Sequence, residues 1–203
     1  MTENIFNKKW FHGTNNNFHE WQSPPPQNVV KGVPHSGIFF TTNIDFAKGA
    51  GKNLAEIEIK ESSNILDTIS NIEKSEELRQ RLVKSNNLFA SMHNSHKDKW
   101  HSGWKDGSVL RPIIESNTLA ETQYKNFLLH NTKEYGAEAA KSLTGHQFTR
   151  GLIEIICKEA KLMGFDGIYG HEVDRWSEHN RVIAQPWLCI FNKKIISQPN
   201  WIS

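Results

Sequence analysis

The sequence predicts an α+β fold, with strand-rich segments at both ends of a helical middle. Three observations carry this. Residues 1–68 alternate short β-branched and aromatic runs with Gly and Asn turns. Residues 69–163 place apolar side chains at helical spacing. Residues 165–203 return to strand patterning after Gly164, which sits where a helix C-cap belongs.

At the N-terminal end, Lys9-Trp10-Phe11-His12 is a strand stopped by Gly13-Thr14-Asn15-Asn16-Asn17. Ser23-Pro24-Pro25-Pro26-Gln27 reads as a stiff extended loop. Gly37 to Thr42 is a strand opened by Gly, and Thr42 or Asn43 caps a short helical turn from Ile44 to Gly49. Leu54 to Ile59 alternates apolar and acidic residues, the period of a half-buried strand. Asn64 to Thr68 closes this part.

In the middle, Ser75 with Glu76 and Glu77 marks a helix start, followed by Leu78, Leu82, Leu88 and Phe89 near helical spacing. His93 to Gly107 reads as polar and turn-rich. Thr118 to Leu129 and Thr149 to Met163 read as amphipathic helices, the latter with Ile153, Ile156, Cys157 and Ala160 on one face. At the C-terminal end, Phe165 to Tyr169 is a short strand. Arg181 to Phe191 is a longer one, in which Pro186 implies an edge or a bulge. The two ends are expected to meet in one sheet.

Size and charge bound the function. The 203 residues suit one domain. No apolar run reaches the roughly 18–20 residues of a membrane helix, and no signal peptide is readable at the N-terminus. Twenty-four basic and 22 acidic residues leave a net charge of +2, which gives no general field for polyanions. Cys157 and Cys189 are too few for a disulfide framework or a four-cysteine zinc site, and point to a reducing, cytosol-like compartment.

Two segments offer chemistry. His12-Gly13-Thr14 ends a strand with a ring, a free backbone and a hydroxyl, a corner able to meet a flat polar ligand such as a carboxamide. An ordinary strand-to-loop turn would use the same residues. Phe39 and Phe40 point to opposite faces of their strand, so one fills the core while the other is free to stack on a planar ring. Packing of both is the alternative.

Together, and in this order, these segments resemble the ADP-ribosyltransferase superfamily, in its poly(ADP-ribose) polymerase-like and phage- or toxin-associated branches. Phe165-Asp166-Gly167-Ile168-Tyr169 and the closing Trp187-Leu188-Cys189-Ile190-Phe191-Asn192-Lys193-Lys194-Ile195 add to the resemblance. It covers roughly residues 9–68 and 162–197. The resemblance implies a split, curved β-sheet core from residues 1–68 and 162–203, with residues 69–161 as a helical insertion. It implies NAD as co-substrate, with His12 on the adenosine-side ribose and Gly13 on the nicotinamide carboxamide. Thr14, Phe39, Phe40, Thr41, Thr42 and Phe46 would complete the cofactor site. The closing strand departs from the family pattern. Trp187 stands where the family has its catalytic Glu, four residues before Phe191. Gln185 lies on the same strand face. Glu172 is the first substitute carboxylate, with Asp174 and Glu178 nearby.

Other constellations carry less. His93, His96 and His101 lack the spacing and the further ligands of a known zinc pattern, so no metal is expected. Lys97, Lys99, Trp100, Trp104 and Lys105 read as a helical insert with core tryptophans rather than as a contact surface. Cys189 reads as a buried small hydrophobe rather than a nucleophile. The leading expectation is an NAD-dependent ADP-ribosyltransferase of toxin, effector or phage type. Its macromolecular acceptor would be a protein ahead of a nucleic acid, in the cytoplasm of a bacterial or phage-infected cell or in a host cytosol. The alternative is a catalytically inactive module of the same fold that acts by protein–protein interaction.

Overall fold

The computed structural model describes residues 4–22, 37–174 and 183–202. The Ser23–Gln27 loop, Glu178 and Arg181 lie outside them. Strands Trp10–Thr14 (β1), Ile38–Phe40 (β2), Asn53–Ile57 (β3), Ile65–Asp67 (β4), Gly167–Asp174 (β5), Ile183–Ile190 (β6) and Asn200–Trp201 (β7) form two sheets. Their orders are β1-β3-β7 and β2-β6-β5-β4. Among the described strands, only β4 and β5 pair in parallel. The chain ends therefore meet in two sheets, not one. The sheets touch at a bridge in which Phe11 and Thr41 exchange backbone hydrogen bonds of 2.7 and 3.0 Å.

Six α-helices complete the α+β fold among the described residues: Ile44–Lys48 (α1), Ile72–Ser85 (α2), Asn87–Ala90 (α3), Lys97–Asp106 (α4), Leu119–Tyr135 (α5) and Ala137–Leu162 (α6). Five of them, α2 to α6, lie between β4 and β5 in sequence. None of the described helices is long and apolar enough to cross a membrane.

The local signals account for most of these elements. Asn43 caps α1 by accepting the Phe46 N–H at 2.9 Å, and Thr118 caps α5 through the Glu121 N–H. The α2 helix starts earlier than Ser75 suggests, because Asn71 accepts the Lys74 N–H and is the true cap. Ser75 is instead buried in the second turn, where its carbonyl and hydroxyl oxygens both accept from the Trp100 indole N–H at 3.0 Å. Residues 97–106 form a helix with core tryptophans, as the helical-insert reading expects, although the surrounding stretch reads as turn-rich. Trp100, Gly103 and Trp104 recur at three- and four-residue spacing, so burial of one face outweighs the polar composition. Gly107, at φ 79°, ends this helix.

Strand β6 runs between β2 and β5. Its register with β5 is continuous from Ile190↔Gly167 to Ile183↔Asp174, so Pro186 makes no bulge. Pro186 is tolerated because β2 pairs only with residues 188–190, which leaves the first half of β6 an edge on that side among the described strands. Leu188 and Ile190 face the space between the sheets, with Trp10, Phe40 and Tyr169. Trp187 and Cys189 face the helices, with Leu152, Ile156, Cys157 and Trp104.

Truncating Leu82, which is 1% exposed, to Ala should cost about 2–5 kcal/mol in urea unfolding. The same change at Ile72, 56% exposed on the same helix, should cost less than about 0.5 kcal/mol.

Candidate functional site

His12 leaves β1 at the seam between the two sheets. Its Nδ1 lies 2.8 Å from the Phe39 carbonyl oxygen. Burial holds its pKa below the ordinary 6.5, against the raising effect of that bond. A neutral ring beside a carbonyl must donate from Nδ1, which leaves Nε2 as an acceptor. The ring is enclosed by Trp21, Phe40 and Phe18, with centroids at 5.3, 5.7 and 6.3 Å. Trp21 in turn donates its indole N–H to the Ser197 carbonyl at 3.0 Å.

Gly13 pairs with Leu54 in the β1–β3 ladder. A Cβ on it would stand 1.7 Å from the Ala47 carbonyl oxygen, so helix α1 packs on the bare backbone here. The need for glycine is thus met by packing alone. The Thr14 hydroxyl accepts from the Asn16 N–H, and the Thr41 hydroxyl from the Asn43 N–H, as local turn bonds. Thr42, just before α1, and Phe46, on it, are half-buried.

Phe39 faces the opposite way from Phe40, toward the helices. It stacks on Trp187 at 5.7 Å with 26° between the planes, and the Arg150 guanidinium lies 5.3 Å from its ring centre. Trp104 approaches the other side of Trp187 at 6.4 Å. Its indole N–H finds no hydrogen-bond acceptor among the described residues. Gly170, opposite Trp187, makes this packing possible: a Cβ there would sit 2.4 Å from the Trp104 ring.

Gln185 and Glu172 are direct partners in the β5–β6 ladder. Strand alternation puts both on the Trp187 face. Glu172 accepts from Arg111 Nη2 at 2.7 Å, and both side chains are mostly buried. The residues singled out from sequence therefore fall into two groups. Phe39, Gln185 and Glu172 lie on the helical face of the four-stranded sheet. Phe40 lies on its inter-sheet face, where His12 of the three-stranded sheet meets it. Arg111, Arg150, Trp21 and Phe18 escaped the sequence reading, because long-range pairing leaves no local signal.

Of the three middle histidines, His101 bonds Glu76 at 3.0 Å, a carboxyl that hydrogen bonds from Arg79 hold at about 2. His93 and His96 instead converge on Glu115, with one ligand atom of each within 4.8 Å of the others. Cys189 is fully buried, its sulfur 3.6 Å from that of Cys157. Burial pushes its thiol well above the ordinary 9.0, which disqualifies it as a nucleophile at neutral pH. A cleft of about 740 Å³ opens between α5 and α6, lined among others by Arg111, Tyr124, Lys125, Lys141 and His146.

These features define an α+β protein of two sheets with a helical face packed on one of them. No family profile matches the chain, and no curated protein matches it significantly. A solved structure described as the crystal structure of an anti-CRISPR protein superposes with a TM-score of 0.43 at 13% identity, covering 94% of this chain and 93% of that one. A likeness of that size assigns neither a fold family nor an activity.

His12 is half-buried among aromatic rings and joins the two sheets through the Phe39 carbonyl, so His12→Ala should lower the melting temperature by about 5–10 °C. Because its pKa is lower in the folded chain, the unfolded chain takes up the proton first. The His12 contribution is complete above pH 6.5 and is lost as the pH falls below it. Thermal scans from pH 7.5 to 5.5 should show a steeper loss for the wild type than for His12→Phe; equal slopes would refute this assignment.

Proposed function

We propose that the chain is a catalytically inactive module related to ADP-ribosyltransferases, which acts by protein–protein interaction. Trp187 carries this reading. The resemblance assigns the catalytic carboxylate to this position, where its charge would stabilise the oxocarbenium-like ribose as nicotinamide leaves. An indole supplies no such charge. This one is 3% exposed and stacked between Phe39 and Trp104, so the face that would take nicotinamide is occupied by the protein's own rings. The substitute, Glu172, is already neutralised by Arg111.

Residues 69–161 would then serve recognition, since additions to a rigid scaffold carry specificity. Lys141 on the α5–α6 cleft, where Lys125 is paired with Glu121 at 2.8 Å, favours an acidic segment of a partner protein. Two free, buried thiols fit a reducing cytosol, bacterial or host.

One observation favours the second reading, an active transferase with NAD as co-substrate and a protein acceptor. With Nδ1 tied to the Phe39 carbonyl, His12 Nε2 is an acceptor suited to a ribose hydroxyl. A nucleic-acid acceptor is the least favoured at a net charge of +2.

Incubation with NAD separates the readings. No nicotinamide release above blank is expected from the wild type, Glu172→Ala or Gln185→Ala with any tested acceptor. Release by the wild type that Glu172→Ala abolishes would establish the transferase instead.

A further inference from the structure

We propose that His93, His96 and Glu115 bind a divalent transition-metal ion of the zinc type, with three protein ligands and an open position toward solvent. The spacing of the histidines gives no such hint by itself. The missing carboxylate comes from Glu115, 22 residues from His93 in sequence. The fold makes the site in two steps.

The first step is local. His93–Ser95 is a 3-10 turn, closed by a 3.0 Å bond from the His96 N–H to the His93 carbonyl. In a 3-10 turn, side chains three residues apart eclipse one another. The two rings accordingly lie side by side, with centroids 4.7 Å apart. An α-helical turn would offset them.

The second step is long-range. The His93 N–H donates to the Ile113 carbonyl at 3.0 Å, and Met92 bridges Ile114. Asn94, 1% exposed, locks this junction: its Nδ2 donates to the carbonyls of Val109 and Arg111 at 3.0 and 2.8 Å, and its Oδ1 accepts from the Ile113 N–H at 2.7 Å. The Thr118 hydroxyl then donates to the Glu115 carbonyl at 2.7 Å. Glu115 is thus delivered to the histidines, with its Oε1 2.5 Å from His93 Nδ1. The backbone carrying all three ligands is fixed before any ion arrives, so binding needs side-chain adjustment only.

The donor set selects the ion. Two imidazole nitrogens and one carboxylate oxygen suit zinc and its neighbours, at bond lengths of about 2.0–2.2 Å, and do not suit the all-oxygen shells of calcium or magnesium. Ligand atoms at those lengths in a tetrahedral site stand about 3.3 Å apart, so the His93–Glu115 pair must open by less than about 1 Å. As the ion enters, the bonds to it replace this hydrogen bond, and the neutral His93 ring carries its proton on Nε2. Two neutral imidazoles and one carboxylate leave the bound ion with a net positive charge and a water on its open side. His101 takes no part, being held by Glu76.

The test is calorimetric titration of Zn²⁺ into the chelator-treated full chain, with circular dichroism to verify each variant's fold. One ion per chain should bind, and the melting temperature should rise with Zn²⁺. His96→Ala, at an exposed position, and Glu115→Gln should each weaken binding by about tenfold or more, while His101→Ala leaves it unchanged. No saturable binding by the wild type overturns the proposal. So does wild-type affinity in both His96→Ala and Glu115→Gln, since that would place the ion elsewhere.

Discussion

The second half of strand β6, residues 187–190, is buried on both faces, and the rest of the molecule is arranged around that fact. Four consecutive residues alternate between two cores: Trp187 and Cys189 toward the helices, Leu188 and Ile190 toward the three-stranded sheet. A one-residue slip would exchange the two sets and present an indole to the inter-sheet layer. The β5 pairing, continuous over eight residue pairs, prevents it. Gly170 then gives Trp104 the room to lie against this sheet, and Trp104 in turn positions Trp100 and helix α4.

This division governs the chemistry as much as the stability. The polar groups nearest to β6 are split by the sheet they decorate. His12 is enclosed by aromatic rings on one side, while Glu172, Arg111, Gln185 and Arg150 lie on the other with Phe39 and Trp187. Side chains on opposite faces of a sheet cannot converge on one reacting bond. Both faces of the sheet at β6 are filled by packed side chains, aromatic rings among them. Binding through the exposed helical part places no demand on this interior.

The strands were legible because their signals are local. The Gly-bounded run at β2, the alternation at β3 and the asparagine cap of α1 each lie within a few residues. Helix α4 was legible only through its tryptophans, because Lys97, Asp98, Lys99 and His101 give the segment a polar, turn-like composition that masks a buried face of Trp100, Gly103 and Trp104. Composition averages the two faces of a helix, and only the period separates them. The candidate site was half legible. The residue types at His12, Phe39 and Glu172 were visible, but their side-chain partners were not. Trp21 packs on His12 across nine residues of chain, while Arg111 reaches Glu172 across 61. Glu115 shows the same limit: no local pattern joins it to His93, and the backbone bond to Ile113 does. Gly13 is ambiguous in sequence for a related reason, since the close approach of α1 and a ligand-binding corner ask for the same residue.

The contact between Trp187 and Phe39 is where these conclusions meet, and proton NMR reads it directly. Nuclear Overhauser effects should join the Trp187 indole to the Phe39 and Trp104 rings, with none to Phe40, and should persist unchanged at saturating NAD. Loss of the Trp187–Phe39 effect on adding NAD, or effects from Trp187 to Phe40, would show that the helical face opens to the dinucleotide or that β6 presents its other side, and either would contradict an interior filled on both faces of β6.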